Sequence, residues 1–169
     1  MNQALTPGSL RAERGKKPVL GEIWPPTTEE MRTPYGVYMY VANVLKRRWK
    51  EQEAYIATES EAAYFYAKDI IGGRWPEGEP AIAQDPAWGC MYAQRTLRKR
   101  WPEAEPAILR SITYAEMYAV RVVRTRWPAC EPVIEQWQSV LQTYLANLSS
   151  TDPEGYASYL MERGDWRPS

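Results

Sequence analysis

The sequence predicts an all-α fold: a right-handed α-solenoid of two-helix repeats, about five units of 26 residues, closed by a C-terminal capping helix. Three observations predict it. Tyr40, Tyr66, Tyr92, Tyr118 and Tyr144 recur every 26 residues without a slip. Trp49, Trp75, Trp101 and Trp127 keep the same interval, each preceded by an arginine (Arg48, Arg74, Arg100, Arg126). The stretch RWPEAEPAI from Arg100 to Ile108 is written also as RWPEGEPAI (Arg74 to Ile82) and RWPACEPVI (Arg126 to Ile134). Glu53, Glu79, Glu105, Glu131 and Ile56, Ile82, Ile108, Ile134 therefore share the register. Two helices of this length cannot bury their apolar faces alone, whereas stacked neighbours bury them together.

Residues 1–30 mix Pro, Gly and charge without periodicity. Residues 1–17 read as a mobile arm, with Val19, Leu20, Ile23 and Trp24 expected to pack on the first unit. The repeat array spans 18–148, its first unit (about 22–47) and last unit (about 126–148) being atypical. Each long helix starts at a cap: Thr33-Pro34, Asp85-Pro86 and Ser111, with Thr58 and Glu61 expected to form a capping box. It continues for 12–14 residues with apolar and small residues at helical spacing, such as Ala115, Tyr118, Ala119, Val122 and Val123. Ala67, Ala93 and Ala119 beside the tyrosines let neighbouring helices approach. Basic residues at the end (Lys46, Arg47; Arg98, Lys99; Arg124) complement the helix dipole.

The recurring motif reads as a corner followed by a short helix of about eight residues. Pro102 is expected at its first position, Pro106 within its first turn, and Glu103 and Glu105 at the positive end of its dipole. Trp101 is expected to pack back across the corner. At residues 149–169, Asp152 and Pro153 start a closing helix that ends near Gly164, and Arg163 to Asp165 reads as that helix end.

Composition narrows the function. Lys plus Arg and Asp plus Glu are both 21, so net charge is zero and no bulk polyanion partner is called for. The absence of His removes the usual neutral-pH acid–base and the commonest zinc ligand; no metal or cofactor site is expected. Cys90 and Cys130 share no motif, which points to a reduced cytoplasmic setting. No apolar run approaches a membrane span, so a membrane is not an expected partner, and a small molecule is not expected either. Tyr (12) and Trp (8) far outnumber Phe (1), a composition suited to half-exposed and interface positions.

The combination of Tyr66-Ala67, Arg74 to Ile82, Asp85 to Trp88, Tyr92-Ala93 and Arg100 to Ile108 resembles tandem short repeats of uncharacterised proteins of tailed bacteriophages. The resemblance covers about residues 34–135; the last unit departs from it, with Trp137 in place of the cap and Leu145 in place of the alanine. It implies a small helical array of phage origin acting in the host cytoplasm and brings no active site with it. It makes a host protein the expected partner, including a component of bacterial immunity such as a CRISPR effector.

The acid pairs Glu77/Glu79 and Glu103/Glu105 recur in successive units, as helix-capping charge does and as a catalytic pair does not. A salt bridge from the motif glutamate to an arginine of the neighbouring unit is expected. No enzyme activity is expected: Cys90 and Cys130 read as small core or semi-exposed residues, and no histidine is there to activate them. The informative positions are those that do not repeat, at i, i+3 and i+7 of each long helix: Gly36, Met39, Asn43; Ala62, Phe65, Asp69; Trp88, Met91, Arg95; Tyr114, Met117, Arg121. Met39, Phe65, Trp88, Met91, Arg95, Tyr114, Met117 and Arg121 are the candidate protein-binding residues. Two readings of Met39, Phe65, Met91 and Met117 stand side by side, inter-repeat core or open surface. The alternative function is a nucleic-acid-binding module using Lys46, Arg47, Arg95, Arg98, Lys99 and Arg124, with Asp69, Gly72 and Gly73 interrupting the stripe. A virion or structural assembly protein is a third reading.

Overall fold

The computed structural model describes residues 29–164. The sequence-based expectations for residues 1–17 and for Val19, Leu20, Ile23 and Trp24 lie outside this range, as does Asp165. Every regular element among the described residues is helical. A short 3-10 turn (Glu30–Arg32) leads into α1 (Pro34–Tyr40) and α2 (Lys50–Ile56). Next come α3 (Ser60–Tyr66), α4 (Glu79–Ile82), α5 (Pro86–Tyr92), α6 (Glu105–Ile108), α7 (Ile112–Tyr118) and α8 (Glu131–Ile134). The longer α9 (Gln138–Thr151) and α10 (Pro153–Glu162) are the last elements among the described residues.

The odd-numbered helices α1 to α9 pack on one another in chain order, and each even-numbered short helix sits between the two long ones it connects. The result is a helical-repeat, solenoid-like array. Its interior holds the fully buried Tyr66, Tyr92, Tyr118 and Tyr144 together with Ile56, Ile82, Ile108 and Ile134. Ala67, Ala93 and Ala119 are buried beside the tyrosines, where a larger side chain would hold the helices apart.

The long helices begin largely as their caps dictate. Thr33 Oγ1 accepts the Gly36 N–H, and Asp85 Oδ1 accepts the N–H groups of Ala87 and Trp88. Ser111 occupies the cap position of α7 but makes no capping bond with its side chain. The expected box at Thr58 does not form: α3 starts two residues later, Glu59 is its cap residue, and the Thr58 hydroxyl donates back to the Tyr55 carbonyl. Glu59 instead accepts the Tyr35 N–H from the preceding long helix, an inter-unit bond that a local reading cannot foresee.

Each of the first four long helices ends in a wide, π-type turn: Val41–Leu45, Ala67–Ile71, Ala93–Leu97 and Ala119–Val123. The next residue is left-handed in all four: Lys46 (φ 51°), Gly72 (φ 74°), Arg98 (φ 54°) and Arg124 (φ 61°). Where the cap is Gly72, both it and Gly73 donate to the Ala67 carbonyl. The other three units place a long cation where glycine is the unstrained choice.

The short helices are shorter than the sequence suggests. α4, α6 and α8 have four residues each, with Pro80, Pro106 and Pro132 in their first turn. A helix begun at Pro102 would have put Pro106 at its fifth position, where the missing N–H removes a backbone bond. The chain instead turns over Trp101 to Ala104 and starts α6 at Glu105.

At the C-terminal end α10 closes on α9. Asp152 accepts both the Gly155 N–H and the Arg126 N–H. A Cβ on Gly155 would fall 2.2 Å from Asp152 Oδ2 and 2.8 Å from Arg126 Cβ, so glycine is what allows this close approach. Arg126 grips both Glu131 and Glu162, and Arg163 lies 4.0 Å over the Tyr159 ring while pairing with Glu135. Among the described residues no helix is long and apolar enough to cross a membrane.

Candidate functional site

The polar groups of the repeated motif are engaged with one another. Arg74 binds Glu79 through two bonds of 2.7 and 3.0 Å, and the same fork joins Arg48 to Glu53, Arg100 to Glu105 and Arg126 to Glu131. Each pair lies within one motif, five residues apart. This corrects the expected bridge to a neighbouring unit: both partners flank one tight turn, which holds them within reach of each other. The link between units comes from tyrosine. Tyr118 donates to Glu105 (3.1 Å) and accepts the backbone N–H of Trp101 (2.6 Å), 17 residues earlier. Tyr66 and Tyr92 do the same with Glu53 and Trp49, and with Glu79 and Trp75; Tyr144 accepts the Trp127 N–H.

The same tyrosine ring packs on the tryptophan of the next corner: Tyr66 on Trp75, Tyr92 on Trp101 and Tyr118 on Trp127, at 4.9 to 5.2 Å between centroids. One side chain thus fastens two consecutive corners. Burial pushes the phenols of Tyr66 and Tyr92 up to about 12, and those of Tyr118 and Tyr144 higher. The Arg48 fork holds the Glu53 carboxyl below its ordinary value. The second acids, Glu77 and Glu103, are exposed and stay out of the fork. Among the described residues no group of three His, Cys, Asp or Glu side chains is placed to hold a metal.

The non-repeating row lies between the two readings that the sequence leaves open. Met39, Phe65, Trp88, Met91, Tyr114 and Met117 are all half-buried, packed against the core yet reaching the surface. Toward the N-terminal end they form an aromatic ladder across units: Tyr38 stacks on Phe65 at 5.7 Å, and Phe65 meets Trp88 edge-on at 5.2 Å. That end is closed on itself, because Asp69 accepts the Tyr38 hydroxyl (2.7 Å) and pairs with Lys68. Its counterparts 26 and 52 residues on are Arg95 and Arg121, both exposed and neither in an ion pair among the described residues.

A second variable position, one residue before that row, is not visible from hydrophobic pattern alone. Tyr38, Tyr64, Cys90 and Glu116 occupy it. The Tyr64 hydroxyl is buried without a hydrogen-bond partner; 31 residues on, where Tyr38 finds Asp69, stands Arg95, which has no acceptor to offer. Burial raises the Glu116 carboxyl, and Arg121 opposes that shift. Cys90 is pushed up to about 11 and Cys130 to about 12 by burial, so both are inert buried thiols without a disulfide.

The residues of the alternative basic stripe, Lys46, Arg47, Arg95, Arg98, Lys99 and Arg124, are all exposed. Lys46, Arg98 and Arg124 are the left-handed residues that end the long helices. Two grooves lie between these ends. One of about 660 Å3 is lined by Gln94, Arg98, Arg121 and Arg124 over Ala93, Val120 and Val122. The other, of about 520 Å3, includes Lys68, Arg95, Thr96 and Arg98. Arg98 belongs to both, and Arg95 and Arg121 connect the grooves to the variable row.

No family model, no curated protein and no solved structure matches this chain.

Proposed function

We propose that the chain is a non-enzymatic protein-binding repeat protein, a right-handed array of five 26-residue units. The long-helix face engages the partner through Trp88, Met91, Arg95, Tyr114, Met117 and Arg121. The observation that carries this reading is a division of labour within each unit. The repeated arginine, glutamate and tyrosine are tied up in the corner, whereas the row that changes from unit to unit stays half-exposed and ends in unpaired arginines. Aromatic and Met side chains beside Arg are the types concentrated at the centres of interfaces. The resemblance of the motif to phage repeats supports a host protein as the partner, encountered in the host cytoplasm, with inhibition of a host defence component as the biological role.

The test is capture of a host-lysate protein by the tagged chain, identified by mass spectrometry and confirmed with the purified partner. Trp88→Leu with Tyr114→Leu keeps the packing apolar while removing both rings. Loss of capture with helicity and melting retained supports the surface. Undiminished capture by that variant overturns it.

A further inference from the structure

We infer that the two grooves between the ends of the long helices receive an acidic segment of the partner protein; the inference rests on the protein-binding reading above. Their lining holds Arg98, Arg121 and Arg124 on one side and Lys68, Arg95 and Arg98 on the other, and among the described residues no Asp or Glu lines either groove. Arg95, Arg98, Arg121 and Arg124 make no ion pair among the described residues, although Arg48, Arg74, Arg100 and Arg126 are each paired with a glutamate. Cations that line one groove repel one another unless an anion lies between them; Glu116 acts on Arg121 from the variable position, and Asp69 pairs with Lys68.

The backbone adds an independent point. Arg98 and Arg124 stand in left-handed conformations at a position that Gly72 fills without strain in the second unit. A cation anywhere in the last turn satisfies the helix dipole, so the dipole does not require one at the left-handed residue. Lys46 stands in the same left-handed place outside both grooves, and Arg124 Nε donates to the Arg121 carbonyl; Arg98 is set apart because it opens into both grooves without an ion pair among the described residues.

Three features favour a peptide over a nucleic acid. The basic stretch is short, two helix spacings or about 20 Å, since neighbouring helices pack 8–10 Å apart. Asp69 stands where the stripe would have continued into the second unit. The grooves also lie at helix C-terminal ends, where backbone carbonyls lack intrahelical partners. A peptide brings N–H donors for those carbonyls along with its carboxylates, whereas a phosphodiester backbone has acceptors and no N–H. Val120 and Val122, half-buried, supply apolar surface that suits the methylenes of a glutamate.

Fluorescence anisotropy tests this with three labelled probes of equal length or charge: a Glu/Ala dodecapeptide, its Gln/Ala counterpart and an oligothymidylate. The Glu/Ala peptide is expected to bind, the Gln/Ala peptide not, and the oligothymidylate more weakly at the same salt. Arg98→Gln/Arg121→Gln/Arg124→Gln should weaken Glu/Ala binding by at least about ten-fold, the scale of a few charge-assisted bonds. Arg32→Gln/Lys50→Gln, elsewhere on the surface, should leave it unchanged. Tighter oligothymidylate binding overturns the inference in favour of a nucleic acid, and insensitivity to the triple substitution overturns the location. Failure of the Glu/Ala peptide to bind a chain that still captures its protein partner sinks this inference alone. Absence of any protein partner sinks the functional reading itself.

Discussion

Replacing Tyr118 by Phe removes one oxygen and no packing volume, so it isolates the polar part of the link between units. The ring is fully buried, and its hydroxyl accepts the Trp101 N–H at 2.6 Å while donating to Glu105 at 3.1 Å. Leaving the buried N–H without an acceptor costs about 1–3 kcal/mol. The lost bond to the carboxylate adds about 1.5 kcal/mol, the low end of its class, because Glu105 keeps both bonds from Arg100. The expected loss is about 3 kcal/mol, a fall in melting temperature of roughly 6–12 °C for a chain of this size. Tyr144→Phe is the internal control. That hydroxyl accepts the Trp127 N–H at 2.9 Å, while Glu131 is held by Arg126 and Arg163 instead of by the tyrosine. Its loss should be about half as large, the N–H part alone. Urea titrations followed by circular dichroism and tryptophan fluorescence measure both, compared at constant slope. A Tyr118→Phe variant within about 0.5 kcal/mol of the parent refutes the role given to this link, and equal losses at both sites refute the part assigned to the carboxylate.

Glu116→Gln should raise the melting temperature at pH 7, because burial raises the folded-state pKa of this acid. Stability tied to a raised group is fully present below the unfolded value of about 4.3 and is lost as pH rises through the folded value, so the gain should vanish near pH 4. Alkaline titration should show the same sign on a larger scale. Tyr66 and Tyr92 are raised to about 12, so urea midpoints should hold below about pH 10 and fall toward pH 12 together with the rise of tyrosinate absorbance. Gly72→Ala should lose about 1 kcal/mol through its positive φ, with no clash to add. At the equivalent place Arg98→Gly should gain about 0.5 kcal/mol, strain relief less the added chain freedom, and thermal melts read both signs. Gly155→Ala should cost about 2 kcal/mol and release α10 first, seen as early hydrogen exchange in Pro153–Glu162.

Much of this architecture was legible in the sequence because the same packing problem is solved repeatedly. A tyrosine that must touch two corners tolerates no insertion, so its spacing survives as a visible period. Pro80, Pro106 and Pro132 signal short helices, but the helices are shorter than the motif suggests, because the first proline of each pair lies in the turn before the helix and not at its start. The capping box at Thr58 failed for a related reason: Glu59 was drawn to the Tyr35 N–H of another helix, and no local pattern encodes that competitor. At the candidate surface, the sequence separated repeating from changing positions but not how deep the changing ones sit. Met91 and Met117 could be placed only once neighbouring helices were present to cover one side of them.

What the sequence determined by itself is the period, the helical character and the identity of the corner residues, since these follow from proline, caps and apolar spacing along one chain. The tertiary structure decided which partners the polar groups take. Arg100 and Glu105 close on each other within one turn, whereas Tyr118 reaches back 17 residues to join them. It also decided which arginines remain free, because an ion pair depends on the distance between atoms in space. Arg98 and Arg100 are two residues apart in the chain; one is locked to a glutamate and the other opens into a groove.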